Sequence, residues 1–283
     1  MIKSIRGIYS RKLLFDKINK LNIKESGIDN DGDPFIILDD GTIFFGHKLK
    51  IKSDKYLYKM LSVSIRNLLQ PECVQVAKDI VVRYVEGGLK YGGPKKQSRY
   101  QVKKGDHVAE MGAYQGFCSI KLAQQVGIKG KVIAIEPMPD NFRLLKKNRE
   151  ANNLTQMILV NRGVWDESKN LLFNRRIGDG QSSSVEMNYE NGEQIKVPAE
   201  TLDSIFEAKG VTAEDFMIIQ LNGAEINGLR GLTSFMPKHL SIAARYDTEG
   251  KDAAKAIKKL LEDRGYYVEI EQEDYVFGEL ITT

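Results

Sequence analysis

The 283 residues are enough for one sizeable domain with an appendage rather than two equal halves. With 42% hydrophobic and 28% charged residues and no window approaching the ~18 apolar residues of a membrane span, the chain reads as soluble, globular and cytoplasmic. Two cysteines without a CxxC pair and three histidines argue against a disulfide framework and a zinc site, and a net charge of +4 permits nucleic-acid binding without indicating it.

In chain order, the first stretch carries Lys3, Arg6, Arg11, Lys12, Lys17 and Lys20 among scattered apolar residues, so it contains no secretory core. Within it, Ile2 to Phe15 alternates apolar and basic residues near helical spacing. It is expected to pack on its own domain or on a second copy of the chain, with an anionic membrane as the alternative. Pro34 to Leu38 and Thr42 to Phe45 flank Asp39-Asp40-Gly41, a hairpin signal with glycine where the turn needs positive φ. Leu57–Leu69 and Cys73–Val85 read as helices, and the glycine-rich run from Gly87 to Ser98 reads as a loop between two parts. The expected division is a basic α+β cap over 1–98 and a larger domain over 99–283.

Beyond the loop, short apolar runs alternate with helical ones. Strands are predicted at His107–Ala109, Lys131–Ile135, Met157–Val160, Phe216–Leu221, Leu240–Arg245 and Tyr266–Ile270. Helices are predicted at Cys118–Gln125, Pro139–Asn152, Glu225–Leu232 and Ala253–Arg264. Such alternation implies a Rossmann-like, mostly parallel sheet with helices on both faces. Leu171 to Phe173 and Gln194 to Val197 flank a polar loop that includes Gly178 to Ser184, and they read as an inserted antiparallel excursion.

The chemistry concentrates where the first of these strands ends, at Glu110-Met111-Gly112-Ala113-Tyr114-Gln115-Gly116, and turns into a helix. Glycines allow close backbone approach, and a helix N-terminus offers N–H groups to an anion. A nicotinamide fingerprint would have glycine where Glu110 stands, and an acid there suits a cationic amino-acid ligand. The next strand ends in Glu136-Pro137, 26 residues after Glu110, where a carboxylate suits ribose hydroxyls. The third strand ends Asn161 to Asp166, placing Val164 and Trp165 as an apolar wall and Asp166 as a polar group for an adenine ring.

With these residues in place, the stretch from about Val102 to Phe277 resembles the FkbM family of S-adenosylmethionine-dependent methyltransferases. The match rests on Glu110 to Ser119, on Ala134-Ile135-Glu136-Pro137-Met138-Pro139-Asp140-Asn141, and on Asn148 to Asn153. It continues through Ser182 to Ser184, Val197 to Asp203, and Asn222-Gly223-Ala224-Glu225 with Leu229-Arg230-Gly231. The resemblance implies the class I methyltransferase fold and S-adenosylmethionine as cofactor. It gives Glu110, Gly112 and Gly116 to the methionine end, Glu136 to the ribose and Asn161 to Asp166, with Val164, Trp165 and Asp166, to the adenine side; Ala113, Pro137 and Asn141 are counted with the cofactor-binding residues, and Tyr114 either reaches over the cofactor or covers the loop. It also implies methylation of oxygen, and sometimes amide nitrogen, on a small molecule, glycan or peptide.

One departure bears on mechanism. Where the family's fourth strand usually ends in Asp-x-Glu-Gly-Ala-Glu, this chain has Gln220-Leu221-Asn222-Gly223-Ala224-Glu225. Amides hydrogen-bond but do not act as general bases. Glu225 is then one candidate base; alternatively Asn222 and Gln220 orient an acceptor amide, or the base comes from the amino-terminal part. His107 is read as a strand residue, His239 as a loop residue, Cys118 as packing, and Ser183 and Ser184 as loop residues able to close on the acceptor. Two other readings stand beside the leading one: a protein that binds the cofactor without turnover, which the amides keep open, and an RNA methyltransferase, which the lack of a concentrated basic face disfavours.

Overall fold

The computed structural model describes residues 14–48, 58–59, 61–85, 100–176, 183–184, 192–211, 215–244, 253–271 and 275–281. Most of the amphipathic stretch from Ile2, the glycine-rich loop from Gly87 to Ser98 and the polar loop from Gly178 to Ser182 lie outside these residues.

A helical turn over residues 14–18, which buries Phe15 and Ile18, leads into an antiparallel meander, β1 (Ile23–Ile28), β2 (Pro34–Leu38) and β3 (Ile43–Phe45). The Asp39-Asp40-Gly41 turn joins β2 to β3 with Gly41 at φ +85°, a conformation only glycine adopts at no steric cost. The next helix is shorter than the sequence suggests: α1 spans Val63–Leu68, capped by the Ser62 hydroxyl, which accepts from Ile65 N. Cys73–Val85 is not one regular helix either. A 3₁₀ turn at Pro71–Cys73 leads into α2 (Val74–Asp79), which loosens into a π turn over Ile80–Val85. Such π segments are frequent at functional sites.

Among the described residues the main sheet has seven strands in the order β13-β14-β12-β11-β4-β5-β6. These are β4 (His107–Met111), β5 (Lys131–Ile135), β6 (Met157–Val160), β11 (Phe216–Ile219), β12 (His239–Ala243), β13 (Tyr266–Glu271) and β14 (Tyr275–Leu280). The β14 strand runs antiparallel to both its neighbours, and the other pairings are parallel. This reversed strand was not read from the sequence, because its alternation follows β13 with no intervening helix to mark it. The order reverses beside β4, which puts the ligand crevice of such a sheet outside the carboxyl ends of β4 and its neighbours.

Strand residues alternate between two cores. Val108, Ala134 and Ile218 face α3 (Phe117–Val126), whose Phe117 and Ile120 share their cluster, with Leu145 of α4 (Pro139–Ala151). Ala109, Met111, Ile133 and Ile219 face the other way, toward α5 (Leu202–Lys209), α6 (Glu225–Arg230) and α7 (Ala253–Glu262). Helices therefore cover both faces, as a parallel sheet buried on both sides requires.

The inserted excursion forms a second sheet, ordered β7-β10-β8-β9, from β7 (Gly163–Val164), β8 (Lys169–Arg176), β9 (Ser183–Ser184) and β10 (Gly192–Glu200). The β8 and β10 strands pair antiparallel over eight residues. Their inner face, Leu171, Phe173, Val197 and Ala199, packs on Met138, just after β5.

The cap docks directly on α3 and α4. Phe44 is fully enclosed and stacks on Phe117, with ring centroids 5.2 Å apart and planes 7° from parallel. Asn148 on α4 and Asn152, which caps its carboxyl end, act as a side-chain extension of the cap sheet. Asn148 accepts from Phe45 N at 2.6 Å and donates to Phe45 O at 2.9 Å, and Asn152 makes the same pair with Ile43 at 2.9 and 2.7 Å. These amides satisfy backbone groups on the edge strand that would otherwise be stranded in the interface. At the rim, Arg143 donates to both oxygens of Asp33 at 2.6 and 2.7 Å, and the Lys147 ammonium sits among Asp29, Asp31 and Asp33.

Candidate active site

At the carboxyl end of β5 stands Glu136, 4% exposed. One carboxylate oxygen accepts from Tyr114 N at 2.8 Å, the other from Met138 N at 3.0 Å and from the Asn141 amide at 3.2 Å. Burial pushes its carboxyl up to about 7, against these same hydrogen bonds, which favour the ionised form. Asn161 ties the loop down by donating to the carbonyls of Glu136 and Pro137 at 2.8 and 3.1 Å.

The neighbouring turn wraps over the end of β4. Gly112 N and Ala113 N both donate to Ile135 O at 3.0 Å, fastening the turn to β5. The two glycines are demanded by the protein's own packing. At φ +81°, a side chain on Gly112 would meet the carbonyl oxygen of Gln220 at 2.0 Å, and one on Gly116, at φ +83°, would meet Leu145 Cδ1 at 2.4 Å. Their missing side chains thus bring β11 and α4 close to the turn. Tyr114 is also left-handed, at φ +56°, and its buried ring lies beneath the Arg83 guanidinium at 4.4 Å and beside the His47 ring at 6.2 Å. Gln115 is wholly enclosed beside Gly46, with no hydrogen-bond partner for its amide among the described residues. Glu110 is 5% exposed, one residue before the end of β4, and accepts from the Ser119 hydroxyl of α3.

The expected adenine side is divided. Val164 is buried in the second core, where Gly228 of α6 leaves room for it beside Leu221. Trp165 is half-buried against Met138 and the excursion sheet, with the Lys169 ammonium 4.9 Å from its ring centre, and Asp166 is exposed.

At the end of β11 the structure changes the reading of the base candidates. Glu225, 2% exposed, turns both carboxylate oxygens into the backbone, accepting from Leu221 N and Gly223 N at 2.8 Å each. Burial pushes it up to about 7, partly offset by those backbone bonds. Its evident work is to hold the turn in which Asn222 adopts φ +50°, and it faces peptide groups rather than an open acceptor position. Gln220 anchors the turn through its own N–H, which donates to Met111 O at 3.0 Å. His107 and His239 stand at the opposite, amino-terminal edge of the sheet. His239 is the first residue of β12, not a loop residue, and stacks on Tyr100 at 4.2 Å. Cys118 packs against the first core. Ser183 and Ser184 form β9 instead of a free loop.

Sequence reasoning did not pick out His47 and Arg83, which the cap delivers to this edge. His47 Nε2 lies 2.7 Å from Asn141 Oδ1, and Arg83 pairs with Asp79 at 3.6 Å while its charge favours the ionised form of Glu136. Neither carried a spacing signal, since both come from outside the strand–turn–helix units that mark the site.

A seven-stranded sheet of this order, with one reversed strand near its edge and acids at two successive strand ends beside the switch point, is the class I methyltransferase fold. The chain belongs to the FkbM methyltransferase family, whose methyltransferase domain matches residues 110–268. Methyltransferases of this family use S-adenosylmethionine. Among curated proteins no sequence matches the chain. Similar solved structures include an FkbM methyltransferase from Methylobacillus flagellatus, 15% identical with a TM-score of 0.45, over 81% of this chain and 58% of that one. A SAM-dependent methyltransferase from Aquifex aeolicus is 18% identical with a TM-score of 0.41, over 71% and 95%. The fibrillarin pre-rRNA processing protein of Methanococcus jannaschii is 17% identical with a TM-score of 0.42, over 92% and 98%. The chain thus spans 58% of the length of the first of these, and at such scores the likenesses add nothing to the sheet order itself.

Proposed function

We propose that the protein binds S-adenosylmethionine across the ends of β4 and β5 and methylates an oxygen or nitrogen of a small molecule, glycan or peptide. The observation that carries this reading is Glu136, a buried carboxylate held at a strand end by two backbone N–H groups and an amide. Those three bonds leave it acceptor capacity, since a carboxylate offers about four lone-pair sites. The donor set fits the cofactor. Glu136 would take the ribose hydroxyls, Glu110 lies beside the turn expected to hold the methionine end, and the first turn of α3, with no side-chain cap, offers N–H groups to a carboxylate.

When bound, S-adenosylmethionine supplies a methyl group already activated by its sulfonium charge. The protein's share of such a displacement is proximity, alignment and exclusion of water. Glu136 and the turn fix the nucleoside, and Gln220 and Asn222, at the end of β11, are suited to orient an acceptor by hydrogen bonds. With Glu225 committed to the backbone, these amides favour an acceptor whose proton leaves easily or departs to solvent.

The test is incubation with methyl-labelled S-adenosylmethionine and panels of small molecules, oligosaccharides and peptides. Label transferred to one class, and lost in Glu136→Ala, supports the reading. Tight cofactor binding without transfer to any of these classes, or to RNA added as a fourth panel, favours instead a cofactor-binding interaction protein, the alternative that the paired amides at the end of β11 keep open.

A further inference from the structure

We propose that the amino-terminal cap is part of the cofactor-binding machinery, with His47 and Arg83 as positioning residues that set the Glu136 carboxylate through Asn141 and Tyr114. This rests on the reading that Glu136 holds the cofactor's ribose.

Two arms run from the cap, each to a different oxygen of the same carboxylate. On one, Asn141 donates its amide N–H to one oxygen of Glu136 at 3.2 Å. An ionised carboxylate only accepts, so the amide oxygen of Asn141 must face away from it, and that oxygen lies 2.7 Å from His47 Nε2. His47 therefore donates from Nε2, and its bond fixes which way the Asn141 amide is turned. On the other arm, Tyr114 N donates to the second oxygen at 2.8 Å, and the Tyr114 ring is roofed by the Arg83 guanidinium at 4.4 Å. Tyr114 holds a left-handed backbone at φ +56°, an uncommon state for a large side chain that its surroundings must enforce. Arg83 lies on the π turn and is anchored by Asp79, and His47 follows the edge strand that Asn148 and Asn152 pin to α4.

Docking of the cap and orientation of the carboxylate are thus one arrangement. Linkage then requires reciprocity: if the docked cap improves cofactor affinity by some factor, the cofactor stabilises the docked cap by the same factor. Removing one arm is expected to weaken binding by about tenfold, within the range usual for coupled sites.

The experiment is calorimetric titration with S-adenosylhomocysteine of wild type, His47→Phe, His47→Gln and Arg83→Met, with thermal midpoints recorded for each. Hydrogen exchange over residues 34–48 and 80–85 is followed with and without ligand. His47→Phe keeps ring bulk without the donor and should lose about tenfold in affinity. His47→Gln, which restores an N–H near the Nε2 position, should recover most of it, and a merely structural histidine would show no such rescue. Ligand should slow exchange in both cap segments. If His47→Phe does not fold, Arg83→Met and the wild-type exchange decide. Wild-type binding with unchanged affinity in the variants, or with cap exchange indifferent to saturating ligand, overturns this inference and leaves the methyltransferase reading intact. Failure of wild type to bind overturns the cofactor reading itself.

Discussion

Two buried side chains show how differently polar groups are treated around this site. Glu225 is enclosed with both carboxylate oxygens engaged by the turn at 221–223, so its cost of burial is offset in part by hydrogen bonds. Gln115 is enclosed with neither amide group partnered among the described residues. A buried unsatisfied polar group costs about 1–3 kcal/mol. Gln115→Met, close in shape and without the amide, is therefore expected to raise stability by roughly 1 kcal/mol. Chemical denaturation would check this; a clear loss of stability would mean the amide is satisfied in solution. Conversely, Glu225→Ala strips two backbone donors of their acceptor and should destabilise by about 2 kcal/mol, with cofactor affinity altered less than by Glu136→Ala.

At the scale of elements, α4 does two jobs. Its first turn supplies Asn141 to the site, and its later turns present Asn148 and Asn152 to the edge of β3. Asn148 makes three bonds, to both backbone groups of Phe45 and to Gln115 O at 2.8 Å. Asn148→Ala leaves those groups unpaired in the interface and should lower stability by about 3 kcal/mol, read from urea unfolding, with the cap the first segment to lose exchange protection. Much of this layer was legible. The β2–β3 hairpin, the strand–helix alternation and the excursion follow from turn residues and periodicity, and Glu110 and Glu136 stand at the ends of two successive strands, as the apolar runs before them imply. The rest was not legible for identifiable reasons. The α2 helix passes into a π turn, a change of winding that apolar periodicity does not mark, and β14 follows β13 directly in the sheet. His47 and Arg83 act across a long stretch of chain, where spacing carries no information. The Thr201-Leu202-Asp203 piece, read as a mark of the family, does structural work: Thr201 caps α5, and Asp203 accepts from Thr233 N and Ser234 N at 2.8 and 3.0 Å.

The whole molecule carries an opposed set of carboxylates. Glu136 and Glu225 are pushed up to about 7 by burial, and Asp79 is raised by the same cause. In Asp29, Asp33, Asp203 and Asp215, burial acts upward too, but hydrogen bonds from Lys147, Arg143, Thr233 and Lys238 outweigh it and hold the carboxyls below their usual range. A raised acid binds its proton more tightly when folded, so its contribution is present below about 4.5 and is lost as pH rises through about 7. A lowered acid contributes above its unfolded value near 4 and is lost as pH falls. The ligand-free protein should therefore be most stable near pH 5, with its thermal midpoint falling toward pH 7.5. Cofactor affinity should run the other way, rising as Glu136 ionises. A midpoint that climbs from pH 5 to 7.5 would contradict the assignment of Glu136 and Glu225 as enclosed acids.

Whether Glu136 anchors S-adenosylmethionine is decided by calorimetric titration of wild type and Glu136→Ala with S-adenosylmethionine and S-adenosylhomocysteine. Anchoring by Glu136 requires one site per chain for both ligands in the wild type and binding lost in the variant while its fold persists. Equal binding by both proteins would move the site away from Glu136, and no binding by the wild type would remove S-adenosylmethionine as its ligand.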